Sequence, residues 1–227
     1  MLYSDPLFGI TLTLVVFLLA TASNRRTGLA IFNPLLLSIG CIIGVLVIFD
    51  IPLNDYQVGG SWISFLIKPA TVALAIPLYK HFDVLIKNLK PVMMGIFIGV
   101  LTSLASVLMM CVLFDQSPEL TASLLSKSIT TPIGMEVTKQ LGGIVPVAIA
   151  AIIFTGIFGA QIGPGLFKVL KIQDKTAQGI AMGTAAHVIG TSKAITMDEE
   201  VGAMSAIAIP IAGIMTVILA PIIFTFI

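Results

Sequence analysis

Long apolar runs separated by short polar links make up almost the whole chain. A helix of about 20 apolar residues is long enough to cross a bilayer, and most of the runs approach that length. We number eight such segments in chain order: 6–22, 29–49, 62–79, 91–114, 120–143, 144–166, 179–194 and 201–227. The pattern predicts an all-α integral membrane protein with about seven or eight membrane segments.

Composition narrows the class of protein further. Of the 227 residues, 57% are hydrophobic and 10% are charged, and the mean hydropathy is +1.09. Soluble domains contain roughly 25% charged residues, so this chain cannot build a water-facing surface. The net charge is +1 and no basic tract is present, so we expect no nucleic-acid partner. We therefore expect one membrane domain, 1–227, and no separate soluble domain.

Charges around the first segment predict its orientation. Asp5 precedes this segment, whereas Arg25 and Arg26 follow it. An export signal has the reverse arrangement, so the segment is interpreted as a first transmembrane helix with its N-terminus outside the cell. The expected location is the inner (cytoplasmic) membrane.

The later loops do not all fit a chain in which every segment crosses. A fully crossing segment five would leave the lysine-rich link at 168–175 outside, against the positive-inside rule. If segment five is re-entrant or broken instead, the lysines lie inside, the acids at 198–200 lie outside, and the C-terminus ends inside. Segment seven is the alternative re-entrant element.

An internal repeat is suggested by a constant shift of 112 residues (146 − 34 and 164 − 52). Pro34 is superposed on Pro146, and Pro52 on Pro164, when segment two is laid on segment six. The shift predicts two related halves, 1–115 and 116–227, and we expect them to be inverted, as in many transporters.

The first of three polar interruptions lies in segment three. Lys68 precedes Pro69, which removes a backbone donor and disfavours a helix before it. Lys68 and Thr71 are therefore candidate substrate contacts at a helix break. The alternative is a simple proline kink with the lysine reaching the membrane surface.

The second interruption, in segment five, reads SKSITTP from 126 to 132. Pro132 suits the first turn of a half-helix capped by Thr130 or Thr131. The positive end of that half-helix, together with Lys127, would attract an anion. A polar loop at the membrane surface is the alternative.

The third interruption is segment seven, GIAMGTAAHVIGTSKA. Thr184, His187, Thr191 and Lys193 could face one cavity, since ionisable residues at membrane depth are costly and mark functional sites. A hydrogen-bonded structural role for His187 is the alternative to ligand contact.

Several chemistries are disfavoured by what the sequence lacks. It has two histidines, no Cys/His cluster, no HExxH and no GxxxxGK[ST] loop. We therefore expect no enzymatic activity, no metal and no cofactor. Lysines, threonines and half-helix ends favour a small anion such as a carboxylate. Glu136 is a candidate for a coupling ion, as a proton carrier or as a sodium ligand, and His187 is a second candidate for the proton.

Four stretches resemble the LrgB/CidB family. They are TTPIGMEVTKQLGG (130–143), TGIFGAQIGP (155–164), GTAAHVIGTSKA (183–194) and KPATVALAIPLY (68–79). The resemblance covers nearly the whole chain, and GTAAHxxGT is its most specific part. The sequence departs at Ser126, where the family often has proline, and at Ser192-Lys193, where it often has Ala-Arg.

The resemblance implies two functions. Bacterial members are usually described as holin-like or antiholin-like proteins that regulate murein hydrolase export and autolysis with a small LrgA/CidA-type membrane partner. Plastid relatives are glycolate/glycerate translocators, and some bacterial relatives take part in pyruvate uptake. We favour a carboxylate carrier, because a pore former does not need three helix breaks bearing lysines, threonines and a histidine. A homo-oligomer is left open. The predicted substrate contacts are Lys68, Thr71, Lys127, Thr130, Thr131, His187 and Thr191.

Overall fold

The structure, a computed structural model, is built from helices. It describes residues 3–27, 34–66 and 89–226, together with positions 69, 72, 79, 83 and 86. The chain divides into two compact units, Met1–Leu74 and Ala75–Ile227, which we describe separately.

The first unit contains three described helices, α1 (Pro6–Thr27), α2 (Pro34–Ile48) and α3 (Leu53–Phe65). Gly9 and Gly59 let α1 and α3 approach closely, since a Cβ at Gly59 would lie 2.8 Å from Cα of Gly9. One turn further along α1, Thr13 Oγ1 and Tyr56 Oη are hydrogen-bonded at 2.8 Å. Backbone proximity and one polar contact thus hold α1 against α3.

The second unit contains the remaining six helices of the described chain. In chain order they are α4 (Leu89–Leu113), α5 (Pro118–Leu125), α6 (Thr131–Gln140), α7 (Val145–Val169), α8 (Lys175–Met197) and α9 (Glu199–Phe224). Its core packs apolar residues of α4, including Ile96 and Leu104, against α9 residues such as Met204 and Ile207.

Helices α5 and α6 form a hairpin that returns to the end where it began. Ser123 Oγ of α5 accepts the N–H of Ile144, which follows α6, at 2.6 Å. Nearer the turn, the hydroxyls of Ser126 and Thr138 are hydrogen-bonded at 2.9 Å. As predicted, α6 begins with Pro132 in its first turn and Thr130 as N-cap residue, although the Thr130 side chain makes no capping bond.

Helix α8 is also a hairpin, folded at His187. That residue has φ 42° and ψ −136°, which breaks the helix into legs 175–186 and 188–197. Lys175 Nζ donates to Asp198 Oδ2 at 2.7 Å across a separation of 23 residues. In a straight helix those positions would be about 34 Å apart. The ion pair therefore closes the base of a chain reversal.

The two hairpins point towards each other from opposite ends of the second unit. The hairpin α5–α6 joins the end of α4 to the start of α7, whereas α8 joins the end of α7 to the start of α9. Because α7 runs the full length between them, each hairpin starts from a different end. Their turns lie in the interior, where Ile152 of α7 contacts both: its carbonyl bonds His187, and its Cδ1 would lie 2.5 Å from a Cβ on Gly134 of α6.

Four helices in the described ranges are long and apolar enough to cross a membrane: Pro6–Arg26, Leu89–Leu113, Val145–Val169 and Glu199–Phe224. Helix α2 is apolar but shorter. The predicted all-α, multi-pass membrane class is confirmed. The count of seven or eight segments and the inverted halves stay predictions.

Both proposed re-entrant segments, five and seven, are hairpins. The loop charges favour segment five as the re-entrant element, and segment seven is the stated alternative, but the structure folds both of them back. The expected separation of the lysines at 168–175 from the acids at 198–200 is wrong, since Lys175 pairs directly with Asp198. The C-terminus was expected inside because segment seven was expected to cross the membrane. Since segment seven is a hairpin, that argument for the C-terminal side no longer holds.

The ion pair at the base of α8 is exposed, and its pKa shifts follow from the contact. Two hydrogen bonds lower the pKa of Asp198. The larger effect comes from the Lys175 ammonium and the smaller one from the backbone N–H of Glu200. Its stabilising contribution is present above the ordinary carboxyl pKa and is lost as pH falls through the lowered one. The bond to Asp198 raises the pKa of Lys175, whose contribution is lost as pH rises through that raised pKa. The pair therefore persists across neutral pH.

Cross-linking tests the reversal of α8. In a variant lacking Cys41 and Cys111, the pair Lys175→Cys and Asp198→Cys should be joined efficiently by a short bifunctional thiol reagent. Protease cleavage within α8 followed by gel electrophoresis would show two fragments held together. The control pair, Lys175→Cys with Glu119→Cys, should not react because these residues lie at opposite ends of the unit. Equal reaction of both pairs, or of neither, would refute the hairpin.

Candidate functional site

A cavity of about 940 Å³ lies between the two hairpins and helices α4 and α7. Most of its wall is apolar, and polar side chains are concentrated on α4, at the α5–α6 turn and on α8. The polar lining residues on these elements and α7 include Thr102, Ser103, Ser106, Lys127, Ser128, Thr155, Asp174, Thr176 and Thr184. A concave, largely apolar site with a few convergent polar groups is typical of small-molecule binding.

Lys127 supplies a positive charge to this cavity. Its Nζ donates to Ser128 Oγ at 3.2 Å and lies 3.4 Å from Ser103 Oγ, while the two hydroxyls are 3.0 Å apart. Lys127 is partly buried, and among the described residues the hydrogen-bond partners of its Nζ are these neutral hydroxyls alone. A buried cation without a counter-charge is costly. The group is therefore suited to an anion.

Helix α4 brings Ser103 to the cavity through a stripe of small residues. Gly95, Gly99 and Ser103 follow one another at i, i+4 spacing and line the cavity on one face. A Cβ on Gly99 would lie 2.9 Å from Cγ2 of Thr184, so glycine is what allows α4 and α8 to approach. The stripe therefore permits the contact between α4 and α8 and sets the width of the cavity.

Asp174 also lines the cavity, at the start of α8. Its Oδ1 accepts the N–H of Ala177 at 2.7 Å, so the carboxylate is engaged as an N-cap. This acid stabilises the helix terminus.

His187 lies at the fold of α8 and is 4% exposed. Its Nε2 donates to the carbonyl of Ile152 at 2.9 Å, which fixes the tautomer with the proton on Nε2. The ring fits against α7 because residue 156 is glycine: a Cβ there would lie 2.6 Å from the ring. A non-glycine residue with positive φ costs about 1–3 kcal/mol and persists only where the surroundings hold it. The ring contact is such a constraint.

Thr191 is buried one turn beyond His187 and contacts α9. Its hydroxyl donates to the carbonyl of His187 at 3.0 Å and is hydrogen-bonded to Ser205 Oγ at 2.7 Å. Neither His187 nor Thr191 lines the cavity. Their ligand roles stay predictions, and their contacts stabilise the hairpin.

Of the predicted residues in segment five, Lys127 alone lines the cavity. Thr130 and Thr131 lie at the start of α6, where unpaired N–H groups carry partial positive charge. Glu136 forms an exposed ion pair with Lys139 at 3.0 Å. Its role with a coupling ion stays a prediction, as does substrate contact by the two threonines.

Lys68 and Thr71 lie outside the described residues, so the predicted meeting of all three interruptions is not tested. Two of the three, at Lys127 and in α8, do contribute residues to the same cavity. Within the described ranges, no group of three His, Cys, Asp or Glu side chains could hold a metal ion.

Ser103 is not among the predicted contacts, because segment four is apolar over most of its length and has no proline break or charged residue inside it. Gly95, Gly99, Ser103 and Ser106 repeat every three or four residues in that run. A periodic stripe of small and hydroxylated residues on one face of a membrane helix is the signal that identifies it. Ser128 and Thr184 were noticed but not included among the predicted contacts.

These features define a class: a multi-pass helical membrane protein with two opposed hairpins around a cavity that contains a lysine. The chain belongs to the LrgB-like family, whose model matches residues 13–226. Both hairpins and the whole cavity lie inside the matched range.

Its relatives are similar over almost their full length. The chain is 34% identical to the uncharacterized protein YwbG of Bacillus subtilis over 215 residues, 95% of this chain and 96% of the relative. It is 33% identical to the holin-like protein CidB of Staphylococcus aureus, in an alignment that covers 97% of this chain and 96% of the relative. It is 31% identical to the antiholin-like protein LrgB of Bacillus mycoides, with 98% of this chain and 97% of the relative covered. No solved structure matches the chain.

Two glycines of α7 provide a matched test of the His187 contact. Alanine normally stabilises a helix by about 1 kcal/mol relative to glycine. At Gly156 the added methyl would collide with the His187 ring, whereas at Gly165 nothing lies within 4 Å. Gly156→Ala should therefore lower the melting temperature in detergent, and Gly165→Ala should leave it unchanged or raise it. The same response at both positions would contradict the contact.

Proposed function

We propose that the protein is a membrane carrier for small organic anions, with carboxylates as the substrate class. The observation that carries the proposal is Lys127, whose Nζ lies with the hydroxyls of Ser103 and Ser128 in a largely apolar cavity. Charge-assisted hydrogen bonds from an ammonium and two hydroxyls suit a carboxylate. We propose no enzymatic activity.

The opposed hairpins support a carrier because they provide two separate gates. A carrier needs one substrate site that opens alternately to each side, and transporters achieve this with broken helices meeting near the midplane. The α5–α6 hairpin reaches the cavity from one end through Lys127 and Ser128, and α8 lines it from Asp174 at the helix start to Ala185 beside the fold. Movement of either would expose the cavity to one side of the membrane.

The positive-inside rule assigns sides to these gates. Lys90, Lys168, Lys171 and Lys175 lie at one end of the second unit, and Lys139 lies at the other. The lysine-rich end is then cytoplasmic. The α8 hairpin becomes the inner gate and α5–α6 the outer gate. The C-terminus of α9 would lie outside, the reverse of the side expected from the sequence.

The names of the relatives favour a second candidate. CidB is named holin-like and LrgB antiholin-like. On this alternative the chain regulates membrane permeability and murein hydrolase export together with a small LrgA/CidA-type membrane protein. It then needs no substrate site, and Lys127 would serve only the packing of the hairpin.

Uptake into proteoliposomes tests the carrier and the role of Lys127. The wild-type protein should take up a labelled carboxylate such as pyruvate with saturable kinetics. Lys127→Met keeps the apolar stem but removes the charge, and should reduce uptake at least tenfold with membrane insertion unchanged. Lys168→Met, at the exposed end of α7, should transport normally.

A dye-release measurement on the same vesicles separates the two candidates. A carrier retains a trapped fluorescent dye while it transports carboxylate. Dye release without saturable uptake of any small carboxylate would refute the carrier and support the holin-like alternative. Equal uptake by wild type and Lys127→Met would remove Lys127 from the site.

A further inference from the structure

Thr184 carries the only buried side-chain oxygen or nitrogen within the described residues that lacks a hydrogen-bond partner. The residue is 6% exposed and lines the cavity from the inner gate, α8. Leaving a buried hydroxyl unpaired costs about 1–3 kcal/mol, so most such groups are satisfied. An exception on the wall of a binding cavity calls for an explanation.

Other helical threonines in this chain avoid that cost. The hydroxyls of Thr13, Thr121, Thr191 and Thr216 each donate to the carbonyl four residues earlier, at 2.7–3.1 Å. Thr184 makes no such bond to Ile180. Its hydroxyl therefore keeps its capacity to donate and to accept a hydrogen bond unused.

Helix α4 relates Thr184 to the lysine group. The methyl of Thr184 faces Gly99, and Ser103, which contacts Lys127, follows Gly99 by one turn. Four residues of helix advance about 6 Å. The cavity thus has a cationic pole at Lys127 and a neutral hydroxyl pole about one helical turn away, with apolar wall around them.

We infer that Thr184 is a specificity-determining residue, which binds a second, neutral polar group on the anion held at Lys127. This inference depends on the proposed small-anion site and adds to it a requirement on the substrate. An anion with only an alkyl chain would leave the Thr184 hydroxyl unpaired. An anion bearing a hydroxyl at suitable distance would pair it. The site should therefore prefer the second kind.

Three acids with the same carbon skeleton test the preference: propionate, 2-hydroxypropionate and 3-hydroxypropionate. Competition for carboxylate uptake gives their relative affinities, and ligand-induced rise of the melting temperature in detergent gives binding without transport. Wild type should favour at least one hydroxy acid over propionate roughly fivefold, the equivalent of one neutral hydrogen bond. Thr184→Val should abolish that preference, and Thr184→Ser should restore it.

Stability without ligand provides a readout independent of transport. Because the Thr184 hydroxyl has no partner, Thr184→Val should melt at or above the wild-type temperature. The matched control is Thr216→Val, which removes a buried hydroxyl bonded to Ala212 on α9 and should melt lower. If Thr184→Val is destabilised as much as Thr216→Val, the hydroxyl has a structural role and the inference is wrong.

The remaining outcomes each decide the inference. A wild-type protein with no preference among the three acids in either measurement, or a preference that survives in Thr184→Val, overturns it. In the last case, the wild type transports none of the three acids and yet is stabilised more by a hydroxy acid than by propionate, with the difference lost in Thr184→Val. That result overturns the proposed carrier but supports the assignment of Thr184.

Discussion

Satisfaction of the backbone inside a membrane is the constraint on which this structure depends. A helix that ends in hydrocarbon exposes N–H and C=O groups at a cost of several kcal/mol each, so chain reversals at membrane depth must be enclosed by protein. The second unit encloses two of them. At the turn before α6 the N–H of Ile129 donates to the carbonyl of Ser126 at 3.3 Å, and at the fold of α8 the carbonyl of His187 accepts the hydroxyl of Thr191 at 3.0 Å. Ile152 of α7 contacts both hairpins near these turns, and both hairpins line one cavity.

The same enclosure accounts for the polar residues of the site. Hydroxyls and a lysine in apolar segments are stabilised only by one another or by a ligand. Ser103 and Ser128 partly satisfy Lys127, but neutral hydroxyls do not balance its charge. The structure thus combines well-satisfied hairpin turns with an incompletely satisfied cavity wall. A site that binds and releases an anion requires this difference, since full internal pairing would exclude the ligand.

The sequence predicted the membrane class and the break before Pro132, because composition and proline chemistry act locally. The family resemblance rests on short motifs that can likewise be found in the sequence alone. The sequence also identified segments five and seven as unusual, but the loop charges favoured a re-entrant segment five, with segment seven only as its alternative. The pairing of Lys175 with Asp198, which resolves this, joins residues far apart in the chain. Ser103 was missed because its importance arises from its neighbours in space. His187 was expected near the substrate, but its bond to α7 depends on the fold of its own helix.

Glycines on α8 determine which parts of the second unit can move together. A Cβ on Gly179 would lie 2.5 Å from the carbonyl oxygen of Val201, and one on Gly183 would lie 2.8 Å from Cβ of Ala208, so α8 rests directly on the α9 backbone. Thr191 and Ser205 add a hydrogen bond to that contact. The α8 hairpin and α9 therefore pack as one block, with backbone close to backbone. On its other side, α8 contacts Gly95 and Gly99 of α4 through the side chains of Ile180 and Thr184. In the proposed carrier, access to the cavity from the α8 side then requires the whole α8–α9 block to move relative to α4.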